Sequence, residues 1–375
     1  MRQTPLAHNA LHTLRDAGIP ARCSRFSALD RFFRTGPAPL LSLSVSCGVI
    51  DLAKIFPGLR YPGIEGVDAA LAGGEQDIYF SCEAEDPRGE TFDILKLLYD
   101  PFRDSFYDPK GIYPLLRGKA VSPAASGEGA HWSRALADAA VLVSRYAYRL
   151  ENLESFSPPP GMDSLFPPES QRALLSYILS GKNAEHGLLL LADSGFLDAL
   201  WPELAALRSV SHSKEYHPEG DVWEHTLETF RYRKNTDLTI ALALLLHDAG
   251  KPLAGTQEGR RFDKHAEIGA AVAEKFLGRL CFPADLTAQV VFLVRNHMLP
   301  GLIKSLPTYR TESVMESPFF PLLLEVYRCD LSSTFRGPDG YYEACKVYRA
   351  FLKHRKNPYR TSDGKKLQRL REYVI

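Results

Sequence analysis

The chain's strongest chemical signal is LLLHDAGK, Leu244–Lys251. An apolar run ends in adjacent His247 and Asp248, Gly250 permits a turn, and Lys251 follows. An imidazole and a carboxylate side by side at a helix end suit a divalent transition metal ion. Two ligands do not complete a site. His225 lies upstream, and His265, His297 and Asp330 follow, each on a helical segment or near its end. Four of these residues would hold one ion, and all six, with Asp248 bridging, would hold two. A set of nitrogen and oxygen donors suits Fe, Mn, Ni, Co or Zn. An ion held there would bring the pKa of a water toward neutrality for attack on phosphorus and would polarise the phosphoryl oxygen. Asp248 and Lys251 are therefore the candidate catalytic groups, with Lys251 offsetting charge on the phosphoryl group.

Each assignment has a plainer alternative. His247-Asp248 also reads as a polar helix cap, and Lys251 as a cation at a helix C-terminus. His265 and His297 also read as solvent-facing histidines or as supports for the ligands. His212 and His217 read as structural or substrate-facing residues, and Asp221 just after them suits a helix N-cap.

The elements that must position these residues are helices. DVWEHTLETFRYRK, TDLTIALALLLHDAG, KHAEIGAAVAEKFLGRL, LTAQVVFLVRNHM and PFFPLLLEVYRCDL show helical periodicity or helix-length apolar runs. Helix bundles build metal sites in this way, with one or two ligands from each helix. Upstream, Trp132–Leu153, SQRALLSYILSG, AEHGLLLLADSG and FLDALWPELAAL are also helical in pattern, with Gly181 and Gly195 placed to end helices. Trp132, Trp201 and Trp223 fall on these patterns as packing residues. The prolines of Ser157–Ser170 exclude a helix through that stretch. Val121–His131 reads as a linker. The first 120 residues differ: Leu40–Cys47 alternates as a strand does, and Asp77–Glu85 follows the turn pair Gly73-Gly74. ETFDILKLLYDP is ambiguous between strand and helix. The fold class expected is an α+β N-terminal domain followed by an all-α neck and an all-α domain bearing the site.

The order His225, His247-Asp248, Asp330 resembles the H…HD…D motif of the HD superfamily of metal-dependent phosphohydrolases, over roughly residues 209–335. His265 and His297 resemble the auxiliary histidines of its two-metal members. YHPEGDVWEHT, Tyr216–Thr226, resembles the opening of the HD domain in bacterial CCA-adding enzymes and poly(A) polymerases. The stretch ending in WPELAAL resembles their helical neck, and FDILKLLYDPFRDSFYDPKGIYPLLR their nucleotidyltransferase head. The resemblance implies a nucleotidyltransferase-like head (1–120), an RNA-binding-like neck (121–208), an HD domain (209–345) and a basic tail (346–375).

That family's head carries a Gly-Ser or Gly-Gly turn followed by an Asp-x-Asp pair that holds two metal ions. No Asp-x-Asp occurs in this chain, and Gly73-Gly74 is followed by Glu75-Gln76-Asp77. The head accordingly reads as degenerate, and nucleotidyl transfer as the weaker expectation. The run Glu83-Ala84-Glu85-Asp86 reads as an acidic loop. Three hypotheses result. The first is hydrolysis of a phosphomonoester or cyclic phosphodiester of a nucleotide or RNA end. The second is tRNA nucleotidyl or adenylyl transfer. The third is a non-catalytic head that binds RNA or nucleotide.

Composition narrows the field. Across 375 residues, 45 Lys and Arg balance 45 Asp and Glu, which excludes a globally basic nucleic-acid binder. Residues 346–375 nonetheless hold ten Lys and Arg against two acids, so tRNA or RNA contact through the tail stays open. The six cysteines form no C-x-x-C pair, which disfavours a thiolate zinc site and suits reduced thiols. No apolar run approaches the roughly 18 residues of a spanning helix, so no membrane contact is expected. The N-terminal stretch lacks a signal-type apolar segment, and a cytoplasmic location is expected.

Overall fold

The computed structural model describes residues 4–36, 39–73, 76–82, 90–123, 130–151, 161–210, 220–254, 262–334 and 337–354. The chain divides into two compact units, residues 1–202 with 279–283, and residues 203–278 with 284–375.

The first unit opens with an α+β region. Helix α1 (Pro5–Asp16) starts on Thr4, whose hydroxyl accepts from the Ala7 amide, with proline at the first helical position. Strand β1 (Ala21–Cys23), helix α2 (Arg25–Phe33), strand β2 (Leu40–Val45) and helix α3 (Val49–Ile55) follow. Strands β3 (Ala69–Leu71), β4 (Asp77–Cys82), β5 (Leu98–Asp100) and β6 (Ser105–Tyr107) complete a six-stranded sheet in the order β3-β4-β2-β1-β5-β6. Only β2 and β4 pair in parallel, from Leu40 opposite Asp77 to Val45 opposite Cys82. The ambiguous ETFDILKLLYDP resolves into a 3-10 turn, Asp93–Lys96, and then β5.

Helix α4 (Tyr113–Gly118) and a short parallel pair, β7 (Ala120–Val121) with β8 (Arg149–Leu150), lead into the helical part of this unit. Helix α5 (Ala130–Tyr146) ends earlier than its periodicity suggests, because Ala147 turns left-handed (φ 56°) and the chain enters β8. The proline-rich stretch admits one four-residue helix, α6 (Met162–Leu165), before α7 (Pro168–Leu179) begins on a proline. Helices α8 (Ala184–Asp193) and α9 (Phe196–Leu200) follow, with Gly195 at φ 74° between them. Two ion clusters, the first of them buried, tie α2 to α5. Arg145 pairs with Asp30, and Arg25 pairs with Asp138 and Glu90.

After α10 (Pro202–Ala205), the described part of the second unit is helical, with no strand. It contains α11 (Val222–Arg231), α12 (Leu238–Leu246), α13 (His265–Arg279), α14 (Ala284–Asn296), α15 (Thr308–Met315), α16 (Phe320–Ser332) and α17 (Asp339–His354). Asp221 caps α11 by accepting from the Glu224 amide at 2.7 Å, and Asp237 caps α12 from Ile240 at 3.0 Å. Helix α12 is apolar on every side, and Ile240 through Leu246 are all buried. A helix of that kind belongs in a core, and α11, α14 and α16 pack around it. No helix among the described residues is long and apolar enough to cross a membrane. Among them the cysteines are free thiols.

Candidate metal centre

The buried helix α12 delivers His247 as its C-cap residue, so the imidazole leaves the helix where backbone carbonyls run out of partners. Asp248 follows in the turn. Gly250 is obligatory there: a Cβ would stand 2.0 Å from the His265 carbonyl oxygen and 2.5 Å from the Gly269 amide nitrogen. That backbone-to-backbone contact brings the first turn of α13, with His265, beside the His-Asp pair. His225 lies within α11, His297 just past the end of α14, and Asp330 near the end of α16. The structure brings together all six residues singled out in the sequence.

They form two triplets. The donor atoms of His225, His247 and Asp330 lie within 4.8 Å of one another, as do those of Asp248, His265 and His297. Asp248 faces both. Its Oδ2 is 3.2 Å from His247 Nε2 and 3.8 Å from His225 Nε2. Its Oδ1 is 3.6 Å from His265 Nε2 and 4.0 Å from His297 Nε2.

The far side of each ring fixes which nitrogen faces inward. Nδ1 of His247 lies 2.7 Å from the Leu244 carbonyl, that of His297 2.7 Å from Val294, and that of His265 3.0 Å from Phe262. A carbonyl only accepts, so each Nδ1 carries a proton and turns its Nε2 toward the site. Those Nε2 atoms face other Nε2 atoms, His225 against His247 at 3.4 Å and His265 against His297 at 3.2 Å. Two buried Nε2 atoms this close are satisfied by a proton on one of them or by a metal cation held between them.

The charges agree. Burial opposes ionisation of Asp248, but the positive charges of His247 and Lys251 outweigh it and hold the carboxyl well below the usual range. Asp330 is held low too, its burial outweighed by the His225 hydrogen bond and the His247 charge. Burial, reinforced by His247, pushes His297 down to about 4, so its ring is neutral near pH 7. Two carboxylates and four imidazoles make a buried donor set of oxygen and nitrogen that fits a divalent transition metal ion.

Lys251 begins a short 3-10 helix and places Nζ 2.6 Å from Asp248 Oδ2. The side chains of Asp330, His265 and Lys251 keep 18, 16 and 11% exposure, against 3% or less for the other ligands. Those three are therefore the members of the site that solvent reaches most.

Ser333 was not legible as part of the site. Its hydroxyl donates to the Asp330 carbonyl at 2.6 Å and lies 3.3 Å from His225 Nδ1. The only signal was its position three residues after Asp330, which puts both on one helix face. His212, His217, the Glu83–Asp86 run and tail residues 355–375 lie outside the described residues.

Comparison with known proteins places the site in a family. Residues 222–330 match the HD domain family. A CC-adding tRNA nucleotidyltransferase of Thermus thermophilus is 38% identical over 132 residues, 33% of this chain and 30% of that protein. A multifunctional CCA protein of Acinetobacter baumannii is 32% identical over 140 residues, 37% of this chain and 33% of that protein. The matches thus span about a third of the length of these curated relatives. The Bacillus stearothermophilus CCA-adding enzyme in complex with CTP superposes with a TM-score of 0.49 at 15% identity, over 94% of this chain and 83% of that one. A likeness of that size is too weak to argue from.

These relatives overturn one expectation. Without an Asp-x-Asp pair, the sequence argues against nucleotidyl transfer, which stands there only as an alternative to hydrolysis. The curated relatives are themselves CCA- or CC-adding nucleotidyltransferases, so transfer stands among this chain's candidate activities. HD domains bind divalent metal ions, and the two triplets supply the ligands such an ion needs. Residues 222–330 match the HD domain family, and about a third of the chain is similar to tRNA nucleotidyltransferases.

Proposed function

We propose that the HD domain is a metal-dependent phosphohydrolase acting on a phosphomonoester or cyclic phosphodiester of a nucleotide or RNA end. One observation carries this reading: Asp248 turns one carboxylate oxygen toward each of two three-ligand clusters. His225, His247 and Asp330 would hold one ion, and Asp248, His265 and His297 the other. Bound there, divalent ions supply an activated water at neutral pH and an electrophile for the phosphoryl oxygen. The rings hold their Nε2 atoms inward through the Nδ1 hydrogen bonds. Asp248 spans the two halves, and Lys251 steadies it while offering positive charge to a phosphate entering from the open side. Fe, Mn, Ni, Co and Zn all suit the donor set.

For the chain as a whole the curated relatives favour a second reading, nucleotidyl transfer to tRNA, and they weigh more than the HD geometry does. In both readings the substrate is a tRNA, an RNA end or a nucleotide, handled outside any membrane, in the cytoplasm. The division into head (1–120), neck (121–208), HD domain (209–345) and basic tail (346–375) belongs to this proposal, as does a head that binds RNA without catalysis.

One pair of assays separates the readings. Purified protein is tested for metal content and for hydrolysis of a 2′,3′-cyclic nucleotide and a generic phosphomonoester. It is also tested for incorporation of labelled CTP and ATP into tRNA lacking its 3′ end. Hydrolysis predicts that Asp248→Ala lowers both bound metal and turnover, by at least about 10²-fold in rate. Transfer that survives Asp248→Ala, with no hydrolysis in the unaltered protein, would overturn the HD reading and leave the second.

A further inference from the structure

Helix α17 has two opposite faces. Ala344, Tyr348 and Phe351 recur at helical spacing on one of them, and α17 packs on α16 there. The Tyr348 ring centre lies 4.5 Å from that of Phe320, and Phe351 is fully buried. Half a turn away stand Tyr342, Lys346, Arg349 and Lys353, at intervals of four, three and four residues, and all four are exposed. The row runs about 16 Å along the helix, at a rise of about 1.5 Å per residue. Because the apolar face anchors the helix, the row is held straight.

A solvated helix face gains by interleaving its lysines and arginines with acids three or four residues away. Here the acid beside the row is Glu343, and it is shared, accepting from Lys346 at 2.6 Å and from Lys304 at 3.1 Å. Among the described residues, Arg349 and Lys353 have no ion-pair partner. The sequence holds six Lys and Arg from Ala344 to Ser362 and no acid. The unmatched positive charge therefore lies along a line. At its N-terminal end stands Tyr342, a large aromatic side chain left 56% exposed.

A line of cations ending in an exposed ring fits a single strand of nucleic acid, whose phosphates meet the cations while a base stacks on the aromatic face. A membrane surface would need the apolar face of the helix to enter the lipid, and that face is taken up by α16. We propose that the row Tyr342, Lys346, Arg349 and Lys353 is a binding surface for single-stranded RNA, with its three cations on neighbouring phosphates and Tyr342 against a base. This rests on the RNA-end substrate proposed above, and not on which reaction the protein performs on it. The metal centre handles one phosphate group, and the row would grip the strand that carries it. Helix α16 serves both, since it holds Asp330 and supports α17.

The test uses the full-length protein and a fluorescein-labelled single-stranded RNA of about 12 nucleotides, with binding followed by anisotropy over a series of KCl concentrations. For single strands, the logarithm of affinity falls against that of salt by about 0.7 per phosphate neutralised. Replacing Lys346, Arg349 and Lys353 together by glutamine is expected to weaken binding and to make that slope shallower by about 2. Lys346→Arg with Lys353→Arg, which keeps the charge, is expected to preserve both. Tyr342→Ala is expected to lower affinity about fivefold or more at an unchanged slope. Circular dichroism confirms that each variant is folded. Unaltered affinity and slope in the triple glutamine variant would overturn the row while leaving the RNA-end substrate standing. Loss of binding to phosphatidylserine vesicles with RNA binding intact would overturn it too. No RNA binding by the unaltered protein at any salt concentration would bring down both.

Discussion

At the residue scale, Asp248, Asp330 and His297 are buried groups whose titration is shifted away from the ordinary range. His297 is the clearest case, since burial and the neighbouring His247 take its pKa from the usual 6.5 to about 4. Between those values the unfolded chain binds a proton that the folded chain refuses. Folding stability of the metal-free protein should therefore be fully present above about pH 6.5 and fall as pH drops toward 4. Asp248 and Asp330 are also held low, so their contribution is lost in the same direction, only at more acid pH. Urea midpoints of chelated protein at pH 7, 5.5 and 4.5 should decline in that order, and His297→Gln should flatten the decline. A midpoint that rises on acidification would show the assignment to be wrong.

At the element scale, the site depends on how closely α13 approaches the turn after α12. Gly250 meets the backbone of His265 and Gly269, which cannot move as a side-chain tip can. Gly250→Ala should destabilise the second unit by more than the roughly 1 kcal/mol of an ordinary exposed glycine change, and should displace His265 from Asp248. Thermal unfolding and metal content of the variant measure the two effects. Unchanged metal content would mean the close approach does not set the site. Much of this was legible beforehand. The apolar run before His247 announced an apolar helix, which the structure buries, and Asp221 was readable as an N-cap because a carboxylate stood before an amphipathic pattern. The end of α5 was not, because periodicity continues past Ala147 and nothing local marks a left-handed alanine. Ser333 was not, because a lone serine gains meaning only when folding sets it against His225.

At the scale of the whole molecule, the first unit is held by polar groups as well as by its core. Asp30 on α2 accepts from Arg145 Nε at 2.7 Å and from the Tyr146 hydroxyl at 2.8 Å, and both Asp30 and Arg145 are almost fully buried. Burial of this kind is costly unless every partner stays in place. Asp30→Ala should cost about 3–5 kcal/mol by leaving Arg145 as an uncompensated buried cation. Urea unfolding followed by circular dichroism would read it, and a loss below about 1 kcal/mol would mean that water reaches the pair.

The ligands also have an order in time. A chain is made from its N-terminus, and its parts begin to fold as they emerge. Asp248, His265 and His297 are all in place once α14 has been made, whereas the triplet of His225 and His247 waits for Asp330 on α16. During synthesis one triplet is complete in sequence while the other still lacks a ligand, so, on the proposed two-ion reading, a growing chain would meet its first ion at the later histidines.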